Sequence, residues 1–401
     1  MPMRYELKKL LGARWLRLIL LLTAAYALFI PWHSSGGLNG LMEQRRMNRL
    51  TAAVSAAEAG TDAAGLVKRV SAAENELFSD LEHNAAAPGT YGLGETAHDD
   101  WIALRRAADA AVYAEQSFPM HRVQITERLL RQNTENSDIY ASRVNAFALR
   151  KYNRYLTLTR DFSGSVTQET HFLFHYTLWE YVMLMLSVLL GVRMFTLDRQ
   201  TGAYRVIAAS ESGMRGRFFR QFGAVTVVLS GMTLFVLAAE ITAMVVVYGV
   251  RDFSLPVQQW PLYEMCPMKI TLGGMLILQT VMRFLVYVFA AAVSGMLAIL
   301  IRKTLAANAL GILLCTGGLL WHMTYILRLQ TLTESQQQRF AALRTWLPQS
   351  LLHPMSHVSG IDCANICGFP ADRLTFCAML CCICTAAMLM TARRLCGRRE
   401  R

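Results

Sequence analysis

Charge is what this sequence has least of for its size. Only 17% of its 401 residues are Asp, Glu, Lys or Arg, where soluble domains carry about 25%. That scarcity excludes intrinsic disorder, which needs many charges and few apolar side chains. Acids are the rarer sign, 28 against 40 Lys and Arg, for a net charge of +12. A basic excess can serve nucleic acid or a membrane surface, and its position decides between them. Positions 33–170 hold 15 basic and 17 acidic residues, so the excess lies elsewhere in the chain. There it borders apolar runs and forms no basic groove with interleaved aromatics, so no nucleic-acid partner is expected. The chain also has no GxxxxGK[ST] loop and no GxSxG elbow. The first absence excludes ATP hydrolysis by the usual phosphate-binding loop, and the second an assembled hydrolase nucleophile. No internal repeat and no alternating strand pattern is visible in 33–177. No cysteine falls in 33–177, which excludes a disulfide scaffold there.

What the sequence has in quantity is apolar length. Hydrophobic residues make up 54% and mean hydropathy is +0.29. About 20 helical residues cross a bilayer core. On that criterion six spans are expected, at about 16–32, 178–195, 222–248, 283–301, 305–327 and 374–392. The first is short, and a cleaved signal peptide is its alternative reading. Basic residues flank one set of span ends. Arg4, Lys8, Lys9, Arg14 and Arg17 precede the first span, Arg302 and Lys303 form the turn between the fourth and fifth, and five arginines follow the sixth. The positive-inside rule makes that side cytoplasmic. The fold class expected is therefore an all-α polytopic membrane protein of the plasma membrane with both termini inside. It divides into a tail and first span (1–32), a helical extracytoplasmic insertion (33–177) and a five-helix membrane domain (178–401) with a cytoplasmic loop at 193–221.

The insertion reads as helical because Leu66, Val67, Val70, Ala73, Leu77, Phe78 and Leu81 recur at three and four residues. Its near-neutral charge and length suit a helical bundle with a core of its own. Four cysteines in the sixth span, Cys377, Cys381, Cys382 and Cys384, read as small apolar residues. Cys363 and Cys367 lie in the outer loop before that span. They could form a disulfide with each other or with Cys266 in an oxidising compartment; thiols that stay reduced are the alternative. The pairs His171/His175 and His353/His357 have i, i+4 spacing. Neither has the adjacent glutamate of zinc hydrolases, so no metal site is expected.

Three charges stand at membrane depth, where they mark function or a necessary pair. Counted from the inner span ends at 1.5 Å per residue, Glu240 and Arg283 lie roughly 27 Å up, and Glu180 about 22 Å. An acid and a base at matched height on consecutive antiparallel helices can pair. Snorkelling of each to the outer interface is the alternative.

The segment RMFTLDRQTGAYRVIAASESGMRGRFFRQF, 193–222, leaves one span and re-enters the next through an Arg-rich turn. It resembles the first long cytoplasmic loop of the type-2 family of ABC exporter permeases: an acid, a Gly, a short helix, a small residue, then an Arg. Asp198, Gly202, Ser210 and Arg215 stand at those positions. The family usually has Glu where this chain has Asp198, and a Pro near Ser210 that is absent here. Six spans with both ends inside and a large insertion after the first span also resemble the family layout. The resemblance implies a permease subunit that catalyses nothing itself and binds no cofactor. It would pair with an ABC ATP-binding subunit, which uses ATP and Mg, and with a second permease subunit. Tyr204, Val206 and Ile207 would give apolar contacts to that ATPase, and Arg199, Arg205, Arg215 and Arg217 charged ones. A non-transporting membrane sensor or assembly protein that uses the insertion as a binding module is the other class of reading.

Overall fold

The computed structural model describes residues 62–85, 101–105, 107–109, 139–155, 177–200, 213–246, 253–259, 266–301, 303–328, 347–352, 355–358 and 363–398, with isolated positions between them. Among these the chain is mostly helical. Two helices belong to the expected insertion, α1 (Ala63–Ala85) and α2 (Ile139–Tyr155). Asp62 starts α1 by accepting a hydrogen bond from the Gly65 amide at 3.0 Å, as an N-cap side chain does. The membrane domain holds α3 (Thr177–Gln200), α4 (Gly213–Val246), α5 (Leu272–Leu300), α6 (Thr304–Arg328), the one-turn α7 (Met355–Val358) and α8 (Arg373–Arg398).

Among the described residues, four stretches are long and apolar enough to cross a membrane: Glu180–Leu197, Phe218–Val246, Leu272–Leu300 and Arg373–Leu395. Helix α6 carries a shorter apolar stretch, Thr304–Gly318. Most of the first expected span lies outside the described residues. Large apolar side chains face outward on these helices, among them Leu234, Ile277, Leu305, Leu313, Ile383 and Met390. A soluble protein rarely exposes so many, whereas acyl chains cover them without cost.

Two sequence expectations need correction. The fourth helix begins at Leu272, not near Arg283. The charge interrupted the apolar run, yet Leu272 to Met282 is apolar enough to continue it, and Thr271 caps the true start by accepting from the Gly274 amide at 3.1 Å. The second departure is an antiparallel hairpin, β1 (Cys363–Ile366) paired with β2 (Phe369–Asp372), with Ile366 opposite Phe369. Its two-residue turn has positive φ at both Cys367 (51°) and Gly368 (83°), the mirror-image turn whose twist suits a hairpin. The Asn365 carboxamide oxygen accepts from the Gly368 amide at 2.8 Å, fixing the turn.

Helix α5 is the centre of the membrane domain. It packs on α3 most extensively, and also on α8, α4 and α6. The α3–α5 contact depends on small residues. A Cβ at Gly191 would come within 2.4 Å of both the Ala291 carbonyl oxygen and the Ser294 hydroxyl. One at Gly311 of α6 would stand 2.8 Å from Val188 and 3.3 Å from Ser294. Lipid gives helices no hydrophobic reason to associate, so close backbone approach supplies the packing attraction instead. Ser294 satisfies its own hydroxyl by donating to the Ala290 carbonyl at 2.7 Å.

A controlled comparison tests this. Gly231 of α4 has nothing within 4 Å of an added Cβ, so Gly231→Ala should be neutral or stabilising by up to about 1 kcal/mol through helix propensity. Gly191→Ala should cost about 1–3 kcal/mol by overpacking. Thermal unfolding of both variants in lipid nanodiscs checks the order.

Candidate functional site

The buried face of α5 carries Leu276, Gln279, Arg283, Tyr287, Ala290 and Ser294, a stripe at three- and four-residue spacing. Three of the six are polar side chains large enough to need partners. Arg283 is 3% exposed, and its guanidinium reaches two acids. Nη1 donates to Glu240 Oε1 of α4 at 2.6 Å. Nη2 stands 3.3 Å from Glu180 Oε1 of α3. Glu180 is wholly buried in the first turn of α3, where the helix dipole favours a carboxylate. Glu240 keeps 13% side-chain exposure.

The three intramembrane charges read from the sequence thus meet in one cluster, with Arg283 bridging three helices. The geometry explains why it can lie inside. A lone guanidinium in a membrane interior is costly. One short hydrogen bond to Glu240 and a longer ion pair to Glu180 offset that cost. A small cavity of about 10 Å³ adjoins the cluster, with Thr233 and Thr280 on its wall beside Glu240, Arg283 and Tyr287. Sequence reasoning did not single out Gln279 and Tyr287. Their signal was available, because each is four residues from Arg283 and so shares its face.

A second polar cluster lies outside the spans, where α2 docks on the hairpin. Arg143 donates to the Gly368 carbonyl at 2.8 Å, and its guanidinium stacks 4.5 Å over the Phe369 ring. Lys151 forms an ion pair with Asp372. Asp372 in turn caps α8, accepting from the Thr375 amide at 3.2 Å and from its hydroxyl at 2.8 Å. Burial alone would push the Asp372 carboxyl up. The bonds from Lys151 and Thr375 outweigh that and hold it below the usual carboxylate range. A helix of the expected insertion is therefore tied to the residue that starts the last span.

The remaining candidates are placed less fully. No disulfide joins Cys266, Cys363 and Cys367. Cys367 sits exposed in the hairpin turn and Cys363 faces Asp372 across the ladder. Cys266 is buried elsewhere, its thiol pushed up to about 11 by burial, which makes it a poor nucleophile. Of the expected coupling segment, Asp198 and Arg199 fall in the last turn of α3, and Arg215 and Arg217 in the first turns of α4. Gly202, Tyr204, Arg205, Val206, Ile207 and Ser210 lie outside the described residues, as do His171 and His175. The feet of that segment are clamped together. Phe195 stacks on Phe218 with centroids 5.3 Å apart, and Phe218 meets Phe219 edge-on at 5.5 Å. The described residues hold no group of three or more His, Cys, Asp or Glu arranged for a metal ion. Comparison with protein-family models, curated proteins and solved structures found no match.

The bridge sets an order of damage. Arg283→Gln leaves two buried carboxylates facing each other and should cost about 3–5 kcal/mol. Glu240→Gln leaves Glu180 to hold Arg283 and should cost clearly less. Yield of monodisperse protein and melting temperature in nanodiscs measure both; equal damage, or more from Glu240→Gln, would refute the bridge.

Proposed function

We propose that this chain is the membrane-spanning permease subunit of an ABC transporter, an exporter half driven by a separate ATP-binding subunit. The reading rests on the segment between α3 and α4. It combines arginines at 199, 205, 215 and 217 with apolar Tyr204, Val206 and Ile207. The Phe195–Phe218 stack ties the helix that leads into it to the helix that follows. Phe195 also packs where a Cβ on Gly295 of α5 would stand, 2.6 Å from its ring. Force applied to the segment therefore reaches the central helix directly. In this reading the loop is cytoplasmic, both termini are inside the cell, a second permease subunit completes the pathway in the plasma membrane, and ATP and Mg act in the partner.

A second reading, a non-transporting sensor or assembly protein, draws on the docking of α2 against the hairpin that starts α8. Events in the insertion would then pass straight into a membrane helix. The two readings part on one requirement, since a sensor needs no ATP-binding subunit.

Charge reversal at two positions, Arg205→Glu with Arg215→Glu, tests the permease reading. Co-purification with the ATP-binding subunit of the proposed transporter should fall at least about tenfold, equivalent to ~1.4 kcal/mol. Membrane insertion should be unchanged. Undiminished association and transport would remove the basis of the assignment.

A further inference from the structure

Helix α2 carries four basic residues and no acid. Arg143 and Arg150 stand seven residues apart, two turns of helix, so their guanidiniums share one stripe. Ile139 lies one turn before Arg143 on the same stripe. All three are exposed, Ile139 at 71%, while Asn145 and Ala148 on the opposite face are buried. Among the described residues no acid pairs with either guanidinium. Arg143 uses one N–H on the Gly368 carbonyl and lies over the Phe369 ring. Arg150 only returns its Nε–H to the Ala146 carbonyl of its own helix, at 3.4 Å. Most of each guanidinium fork is left open. Beside Arg143, Phe369 is 62% exposed. Open guanidiniums and two bare apolar side chains thus share one surface.

The contacts of α2 fix where that surface lies. Lys151 pairs with Asp372, and the next residue opens Arg373–Leu395, an apolar stretch of 23 residues. As a helix it measures about 34 Å, slightly more than the roughly 30 Å of hydrocarbon in a bilayer. Arg373 therefore stands at the edge of the core, where the headgroups begin. Arg143 is held at Gly368, five residues earlier. Even an upright hairpin, at about 3.3 Å per residue, would keep it within roughly 17 Å of that edge. The exposed Ile139 and Phe369 at this end favour lying flat instead. Apolar side chains on a basic helix enter the boundary between headgroups and acyl chains.

We propose that this face of α2, with Phe369, docks on the phospholipid headgroups of the leaflet that α8 enters. The planar forks of Arg143 and Arg150 match phosphate oxygens in geometry and charge. Ile139 and Phe369 sit among the upper acyl carbons. With no acid on α2 to repel it, an anionic headgroup is the better partner. A soluble acidic protein matches the charge but has to displace headgroups already at this depth. The same helix holds Asp372, the cap of α8, so the docked surface steadies the start of the last span. This inference is independent of the permease reading.

Photo-cross-linking of the full chain in nanodiscs tests it. With p-benzoylphenylalanine at position 139, illumination should add the mass of one phospholipid to the folded protein. Discs of phosphatidylglycerol should give more adduct than discs of phosphatidylcholine by about fivefold, the factor one arginine supplies near an anionic surface. Arg150→Gln should lower the yield in phosphatidylglycerol by a similar factor. It should not move the melting temperature, because that guanidinium touches only its own helix. Arg143→Gln should also lower the yield, but it loosens the hairpin as well, so Arg150→Gln is the deciding variant. Four results would overturn the proposal. These are no lipid adduct from folded protein, equal yields in the two lipids, a yield that Arg150→Gln leaves unchanged, and cross-linking of position 139 to a soluble protein in place of lipid. The comparison of the two lipids decides the question even if a variant fails to fold.

Discussion

A guanidinium in the middle of an apolar helix is the constraint from which the arrangement of this membrane domain follows. Arg283 cannot face acyl chains at tolerable cost, so α5 must present it inward. Once inward, it needs acceptors on whatever packs against that face. Glu180 supplies one from α3 and Glu240 another from α4. The cluster thereby specifies which helices neighbour α5 and in what rotation, information that leucine and valine do not carry in a lipid solvent. Buried ion pairs contribute little net stability compared with apolar packing. Their value here is orientation.

Below the cluster a different kind of contact takes over. Gly191, Ala291, Ser294 and Gly311 bring α3, α5 and α6 close enough that an added methyl group has no room. The aromatic stack of Phe195 on Phe218 then closes the end of α3 against the start of α4. At the other end, the chain between α4 and α5 is held by buried Gln258, whose amide donates to the Cys266 and Met268 carbonyls at 3.1 and 2.6 Å. Gln349 does the same for the 3₁₀ turn Pro348–Leu352 by donating to the Leu314 and Cys315 carbonyls of α6. The core thus has charges near one end, close backbones along its length, and an aromatic clamp at the foot of the connecting segment.

Much of this was legible from residues alone. Apolar runs located the helices because a bilayer demands about 20 residues of them. Counting residues from the span ends put Glu240 and Arg283 at one height. Where the count erred, the cause is specific. Arg283 looked like a span edge because a charge lowers local hydropathy, whereas its cost is met by two partners that no local window contains. Glu180 looked like a third charge at a similar depth, and only the packing of α3 on α5 shows that it shares the guanidinium. The hairpin was missed because four-residue strands leave no room for alternation to register, and its one signal is the Cys367–Gly368 pair at the turn. The contact between Lys151 and Asp372 joins residues far apart in the chain and has no sequence signature at all.

The central claim is that Arg283 is buried in order to bridge two carboxyls. It is tested most directly by removing the carboxyls along with the arginine. Arg283→Gln alone should lower the amount of folded protein and its melting temperature in nanodiscs. Combining it with Glu180→Gln and Glu240→Gln removes every charge and should restore most of both. A triple variant no better than the single one would mean that Arg283 serves packing or another partner, and would contradict the account.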